Sequence, residues 1–495
     1  MSATSDQSIV IVGSGIGGIA AAIDLQSHGF RDITILERDE GVGGTWRQNT
    51  YPGCACDVPS HLYSFSFAQR RDWSRLCSPQ DEILDYLEGV AHDHGVDRLV
   101  TTGVDVTACA WDDDEREWTV TASDGRTWTA NALIVATGQL HQPAWPRIDG
   151  IEDFQGHAFH SAQWDHEYDL HGKRVAVIGT GASAAQLVPT VAEQAQRLSV
   201  FQRTGNWYLP RRNRPYPSFA KLLFERVPGL QALRRRYIFQ YTETVTLLIR
   251  NPRTLGRIGR LASTLFMRHQ IKDPDLRRRM WPDYTFGCKR ILFTSYFLPA
   301  IQRPNAELVT DAITKVDATG IVTADGTHRD LDCIIYGTGF KTSAFMFPME
   351  VTGAGGASLR EFWSDGAHAH LGMTAPGFPS LFFMYGPNTN TSGGSIIAYE
   401  EAQSAYIRQA LQLVRDRGAA AIDVRPEVEA ASDRETQARF GGTAWLECDS
   451  WYRDEQGRIV TNWPGYMREY FARVATIDPA EFTLVPQPDR EVVAA

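Results

Sequence analysis

Short runs of consecutive apolar residues, most of them ending near glycine, alternate along this chain with stretches of helical spacing. Ser8-Ile-Val-Ile-Val runs into Gly13, and Ile19-Ala-Ala-Ala-Ile-Asp-Leu follows as helix-forming sequence. An apolar run without a polar face suits a strand covered on both sides, as in parallel sheets connected by helices. The rhythm recurs. It predicts strands at Asp32–Leu36, Asn131–Ala136, Lys173–Ile178, Leu198–Gln202, Asp332–Tyr336 and Ser380–Tyr385, and a helix over Ala185–Gln196. Trp111–Val120 and Arg126–Trp128 instead read as a small antiparallel excursion around the turn Ser123-Asp-Gly. Residues 206–285 break the alternation. Phe219–Arg226 and Leu230–Arg250 have helical spacing there, punctuated by Pro210, Pro215, Pro217, Pro228 and Pro252. Glu400–Arg415 reads as an amphipathic helix. The expected class is α/β: two Rossmann-like dinucleotide-binding domains, with a helical insertion in the second.

The charge pattern singles out the insertion. Between Arg211 and Arg279 stand 17 Lys/Arg against 4 Asp/Glu, in a chain whose formal net charge is −10. Three readings stay open: a solvated helical layer, a positive field drawing in a multiply charged dinucleotide, or a contact with a membrane surface or partner. The acidic balance of the whole argues against nucleic-acid binding. A length of 495 residues allows two to four domains. The N-terminal residues lack the basic region of a signal peptide. No window holds the ~20 apolar residues of a membrane span; Tyr237–Ile249 comes nearest and is broken by Gln240, Thr242, Glu243, Thr244 and Thr246. Seven cysteines, odd in number and without metal-type spacing, suit free thiols in a reducing compartment, so no metal site is expected and the expected location is cytoplasmic. Cys54-Ala-Cys56 lacks the two-residue spacer of a redox dithiol.

Candidate chemistry begins at the glycines. Gly13-Ser-Gly15-Ile-Gly-Gly18 follows a strand, opens a helix, and is followed by Glu37 at the end of the next strand. Gly13 and Gly15 let the backbone approach a pyrophosphate, Gly18 permits close helix–strand packing, and the helix N-terminus favours the anion. Glu37 suits ribose hydroxyls and repels a 2′-phosphate. Gly179-Thr-Gly181-Ala-Ser183-Ala184 repeats the arrangement, but its next strand ends at Arg203-Thr204 without an acid. An arginine there grips a 2′-phosphate, so the second nucleotide is expected to be NADPH.

Between these units lies Phe154-x-Gly156-x-x-x-His160-x-x-x-Trp164-Asp165, which resembles the fingerprint of type I Baeyer–Villiger monooxygenases. Gly43-Gly44-Thr45-Trp46 with Tyr51-Pro52-Gly53 and Asp57 resembles a segment that runs beside the flavin in the same family, which makes FAD the first nucleotide. Ala136-Thr137-Gly138 and Gly337-Thr338-Gly339-Phe340 match strand-end markers of two-dinucleotide flavoproteins. Phe286-Gly287-Cys-Lys289-Arg290 matches the segment that carries the family's active-site arginine, here Arg290, with Lys289 as a second grip on the 2′-phosphate. Asn388 ends a strand at the flavin, Thr391–Ile397 is a candidate lining of the substrate pocket, and Asp449-Ser-Trp451-Tyr452 resembles a segment that holds the nicotinamide cofactor. The resemblance implies an FAD-binding domain in two parts (1–143 and 342–495), an NADPH-binding domain in two parts (144–205 and 286–341), and the insertion at 206–285. It further implies that NADPH reduces FAD, that a C4a-peroxide forms with dioxygen, and that a small-molecule ketone becomes an ester or lactone. Arg290 would counter the developing negative charge, Asp57 would position Arg290 or the nicotinamide, and His160 and Trp164 would couple domain arrangement to catalysis, with a general acid or base role for His160 left open. Three alternatives stay open: sulfur or nitrogen oxidation with the same cofactors, an NADPH-dependent flavin reductase, and a nucleotide-binding regulatory protein.

Overall fold

The computed structural model describes residues 7–488 except Arg212 and Ser392. Ile9–Val12 pairs in parallel with Ile33–Leu36 on one side and Ala132–Val135 on the other; Val100–Thr101 and Leu381–Phe383 complete this five-stranded sheet at its edges. Successive side chains of a strand point to opposite faces. Ile9, Ile11, Ile33 and Ile35 accordingly enter a core with the helix Ile16–Ser27 and the helix Ile396–Arg417, while Val10, Val12 and Leu36 pack on Trp111, Trp118 and Val351. The latter belong to an antiparallel layer of Val106–Asp112, Glu117–Ala122 and Thr127–Ala130, extended by Glu350–Thr352.

The second sheet is also parallel, in the order Ala306–Val309, Arg197–Phe201, Arg174–Ile178, Cys333–Tyr336, His157–His160. Val175, Val177, Leu198 and Val200 face Leu187, Val188 and Val191 of the helix Ala182–Gln194; Ala176, Phe201 and Ile334 face Val316 and Ile321 of a small antiparallel sheet. The chain passes between the two sheets at 140–145 and returns at 338–342, and the two crossings are hydrogen-bonded to each other. Ala144 N–H donates to the Gly339 carbonyl at 2.8 Å, Lys341 N–H to the Gln142 carbonyl at 3.0 Å, and Thr338 Oγ1 to the Ala144 carbonyl at 2.6 Å.

The insertion carries the helices Ser218–Arg226, Leu230–Arg250, Gly256–Gln270 and Pro274–Met280. Tyr237–Ile249 lies within the second of these, and among the described residues no helix is long and apolar enough to cross a membrane. Three expectations need correction, and one element is added. The helix expected from Ala185 starts at Ala182, because Gly181 adopts the extended conformation of a cap. The helix expected from Glu400 starts at Ile396, so the last part of the Thr391–Ile397 loop is its first turn. His157–His160 of the fingerprint, for which no element was expected, is an edge strand of the second sheet. The cysteines are not all free thiols: Cys288 and Cys448, 160 residues apart, form a disulfide, while Cys54, Cys56, Cys77, Cys109 and Cys333 are free and buried.

Candidate active site

A cavity of about 1740 Å³ runs between the C-terminal ends of the two parallel sheets, where open α/β sheets bind ligands. A pocket for one small ligand measures about 300–1,000 Å³, so this one has room for two dinucleotides. Both glycine turns open on it. The helices that follow have Gly15 and Gly181 at the cap position, without a side-chain cap and without an acid in the first turn. Their leading backbone N–H groups are thereby left for an anion. Gly13 has φ of +101°, and a Cβ there would lie 2.6 Å from the Ala136 carbonyl oxygen. Gly18 packs helix on strand as expected, since a Cβ would stand 2.0 Å from the Gly13 oxygen. Ala184, expected at the nucleotide, is instead the packing counterpart of Gly18: it is fully buried under Gly337, and Ser183 is the residue that reaches the cavity.

The two sheets present opposite charge. Glu37 lines the cavity at the end of Ile33–Leu36; its Oε2 accepts from Ser14 N–H and Oγ, both at 2.7 Å, and its Oε1 from Asp39 N–H at 2.9 Å. A carboxylate accepts about four hydrogen bonds, so Glu37 both fixes the glycine turn and keeps one acceptor site. Across the cavity, Arg203, Thr204 and Lys289 line the second sheet's end. Burial, and then the charge of nearby Arg203, lower the pKa of Lys289, whose Nζ also stands 4.8 Å from the centre of the Tyr284 ring. Two cations that disfavour each other's charge form a receptive site for a phosphate.

Asp57 and Arg290 meet on the cavity wall. Arg290 Nη2 donates to both Asp57 oxygens at 2.7 Å, and Nε donates to Oδ2 at 3.2 Å, leaving Nη1 outside the pair. Burial alone would raise the Asp57 carboxyl, but the guanidinium's charge and hydrogen bonds outweigh it and hold the pKa below the usual carboxylate range; Asp57 in turn raises that of Arg290. The loop that delivers Asp57 is bolted to the helix Ala182–Gln194 that covers the second sheet. Tyr51 OH donates to Gln186 Oε1 at 3.1 Å, Gln186 Nε2 donates to the Ala55 carbonyl at 2.9 Å, and a Cβ on Gly53, where φ is +81°, would be 2.6 Å from the Gln186 backbone carbonyl oxygen. Trp46, in the short helix Thr45–Gln48 just before that loop, donates from Nε1 to Tyr63 OH at 3.1 Å. Gly44, Thr45, Trp46, Tyr51, Thr137, Gly138, Gly339 and Trp451 all face the cavity. The free thiol Cys54 is pushed up to about 12 by burial, which leaves it unreactive beside the site.

Like Gly18 and Ala184, the predicted residues Asn388, Trp164 and His160 do not reach the cavity. Asn388, with φ of +57°, donates from Nδ2 to the carbonyls of Ile459 (2.7 Å) and Asn462 (3.0 Å), clamping the C-terminal segment; Asn390 is the one on the wall. Trp164 packs edge-on against Phe159, ring centres 5.1 Å apart, and its neighbour Asp165 pairs with His157 at 2.9 Å. His160 is fully buried, its Nδ1 accepting from Ala162 N–H at 3.1 Å, and burial lowers its pKa. Its ring stands 5.7 Å from Trp145 on the outgoing crossing and 6.0 Å from Phe340 on the returning one.

The wall also holds residues that the sequence did not single out, among them Gln186, Tyr385 and Glu400. Glu400 is buried, burial alone raises its pKa to about 8, its Oε2 has no hydrogen-bond partner, and its Oε1 sits 3.2 Å from where a Cβ on Gly17 would be. In sequence it looks like the polar face of an amphipathic helix. The one available signal was its position just beyond the loop expected to line the pocket.

A family model described as pyridine nucleotide-disulphide oxidoreductase matches residues 10–218. A Baeyer-Villiger monooxygenase of Streptomyces coelicolor is 41% identical over 481 residues, 96% of this chain and 92% of that protein. Among solved structures, an oxidized steroid monooxygenase bound to NADP superposes with a TM-score of 0.87 at 30% identity, covering 97% of this chain and 99% of that one. A complex of OTEMO with FAD and NADP does so with a TM-score of 0.87 at 27% identity and the same coverage.

Proposed function

Since this chain belongs to the Baeyer–Villiger monooxygenase family, we propose that it uses FAD, NADPH and dioxygen to insert one oxygen atom beside a ketone carbonyl, giving an ester or lactone. The observation that carries this reading is the Asp57–Arg290 pair on the wall of a cavity into which both glycine turns open. FAD, reduced by NADPH, supplies the activation of dioxygen. The chain's own residues bind and orient. Gly13, Gly15 and the uncapped helix start take the flavin nucleotide's pyrophosphate, and Glu37 a ribose hydroxyl. Gly179, Gly181 and Ser183 take the NADPH pyrophosphate; Arg203, Thr204 and Lys289 take its 2′-phosphate; Trp451 flanks the nicotinamide half. In this reading the FAD domain is 1–143 with 342–495, the NADPH domain 144–205 with 286–341, and the location is cytoplasmic.

Arg290 does the electrostatic work. Its guanidinium stays charged at any working pH, Asp57 fixes its plane, and Nη1 remains to hold negative charge on oxygen while a C–O bond forms at the carbonyl carbon. A preorganised donor of this kind is worth about 10²–10³ in rate. His160 and Trp164 act as positioning residues. The test supplies purified holoenzyme with NADPH, air, a panel of ketones and a thioether, and identifies products. Ester from at least one ketone, lost by about 10²-fold or more in Arg290→Ala with flavin still bound, is the expected outcome. NADPH oxidation that yields only hydrogen peroxide or sulfoxide would overturn the carbonyl chemistry.

A further inference from the structure

The outer face of the helical insertion departs from the rest of the surface in two ways at once. On Gly256–Gln270, Ile258, Leu261 and Leu265 recur at helical spacing and are 62%, 58% and 59% exposed. On the neighbouring Leu230–Arg250, Leu233, Tyr237 and Tyr241 form a second row, each more than half exposed, and Phe219 on Ser218–Arg226 is 67% exposed. These rows are not stray edges of the core, because the same helices bury other residues inward: Ile238, Thr242 and Ile249 on one, Gly259, Ser263 and Met267 on the other. Single exposed apolar side chains are ordinary, but ordered rows on adjacent helices mark an interaction surface.

Charge identifies what the surface meets. Gly256–Gln270 carries Arg257, Arg260 and Arg268 and no acid. The 17 Lys/Arg and 4 Asp/Glu between Arg211 and Arg279 give that segment a formal +13 within a chain of −10, so the remainder carries −23. A two-fold contact between copies through this face would set Arg257, Arg260 and Arg268 of one copy against the same arginines of the other, since a symmetric interface pairs a patch with itself. Apolar rows flanked by arginine match the layered chemistry of an anionic bilayer, with acyl chains beneath phosphates. We propose that the Ser218–Arg226, Leu230–Arg250 and Gly256–Gln270 helices dock the protein in the plane of a membrane rich in anionic phospholipid, without spanning it. The proposal stands independently of the ketone chemistry.

The test sediments holoenzyme with vesicles of phosphatidylcholine alone and of equal parts phosphatidylcholine and phosphatidylglycerol. Binding is expected only to the anionic vesicles, weakening as salt is raised. Two variants, Ile258→Ser/Leu261→Ser/Leu265→Ser and Arg257→Gln/Arg268→Gln, should each lose about tenfold in partitioning while keeping bound-flavin absorbance. Three results would overturn the proposal: no binding to anionic vesicles at low salt, undiminished binding by the serine variant, or a concentration-dependent oligomer in sedimentation velocity that the serine variant abolishes.

Discussion

Asp57 and Arg290 neutralise each other without discharging each other, because a bidentate contact stabilises both charged forms. Glu400, on the same cavity wall, is the opposite case: a carboxyl that burial keeps protonated because no cation pairs with it. Its ordinary value of 4.5 in the unfolded chain against about 8 in the folded one means the folded state holds the extra proton between those limits. Stability therefore falls as pH rises through that window and levels off above it, by roughly 5 kcal/mol at most at about 1.4 kcal/mol per unit. Glu400→Gln removes the dependence. In calorimetry the variant should match the wild type near pH 5 and melt higher at pH 8.5; a difference that does not change with pH would contradict the assignment.

At the scale of elements, the Cys288–Cys448 disulfide ties the segment bearing Lys289 and Arg290 to the one bearing Asp449–Trp451, so two strips of cavity wall are held as one. Cys288→Ala/Cys448→Ala should cost about 2–4 kcal/mol in denaturant unfolding and raise the KM for NADPH more than it lowers kcat. Unchanged NADPH kinetics would show the bond to be structural alone. This link also marks where sequence reading stops. The strand–glycine–helix turns were legible because a few adjacent residues dictate their geometry, and Gly13, Gly15, Gly179 and Gly181 all stand on the cavity wall. A disulfide between residues 160 positions apart has no local signature. Nor does the burial of Glu400, which depends on Gly17 lying beneath a distant helix. Ala184 and Asn388 occupy motif positions, but their side chains serve packing and backbone clamping, which a motif alone does not distinguish from ligand contact. The edge strand His157–His160 was masked by its own pattern: only Phe159 and His160 are buried, too little to show an alternating face.

Across the whole molecule, the paired crossings at 140–145 and 338–342 form the covalent route between the sheets, and His160 wedges its ring against both. A two-stranded strap of this kind restricts how the two sheets turn about the cavity. His160→Ala should retain flavin and NADPH binding yet raise severalfold the share of NADPH consumed without oxygenated product; unchanged coupling would remove the residue from any role in alignment. The interleaving of the chain has one more consequence. The first sheet begins at Ile9 but lacks its edge strand until Leu381–Phe383, whereas all five strands of the other sheet lie between His157 and Tyr336. During vectorial synthesis the inner unit has its full complement of strands while the outer one is still missing a strand, so the ribosome releases the nested sheet to close before the sheet that encloses it.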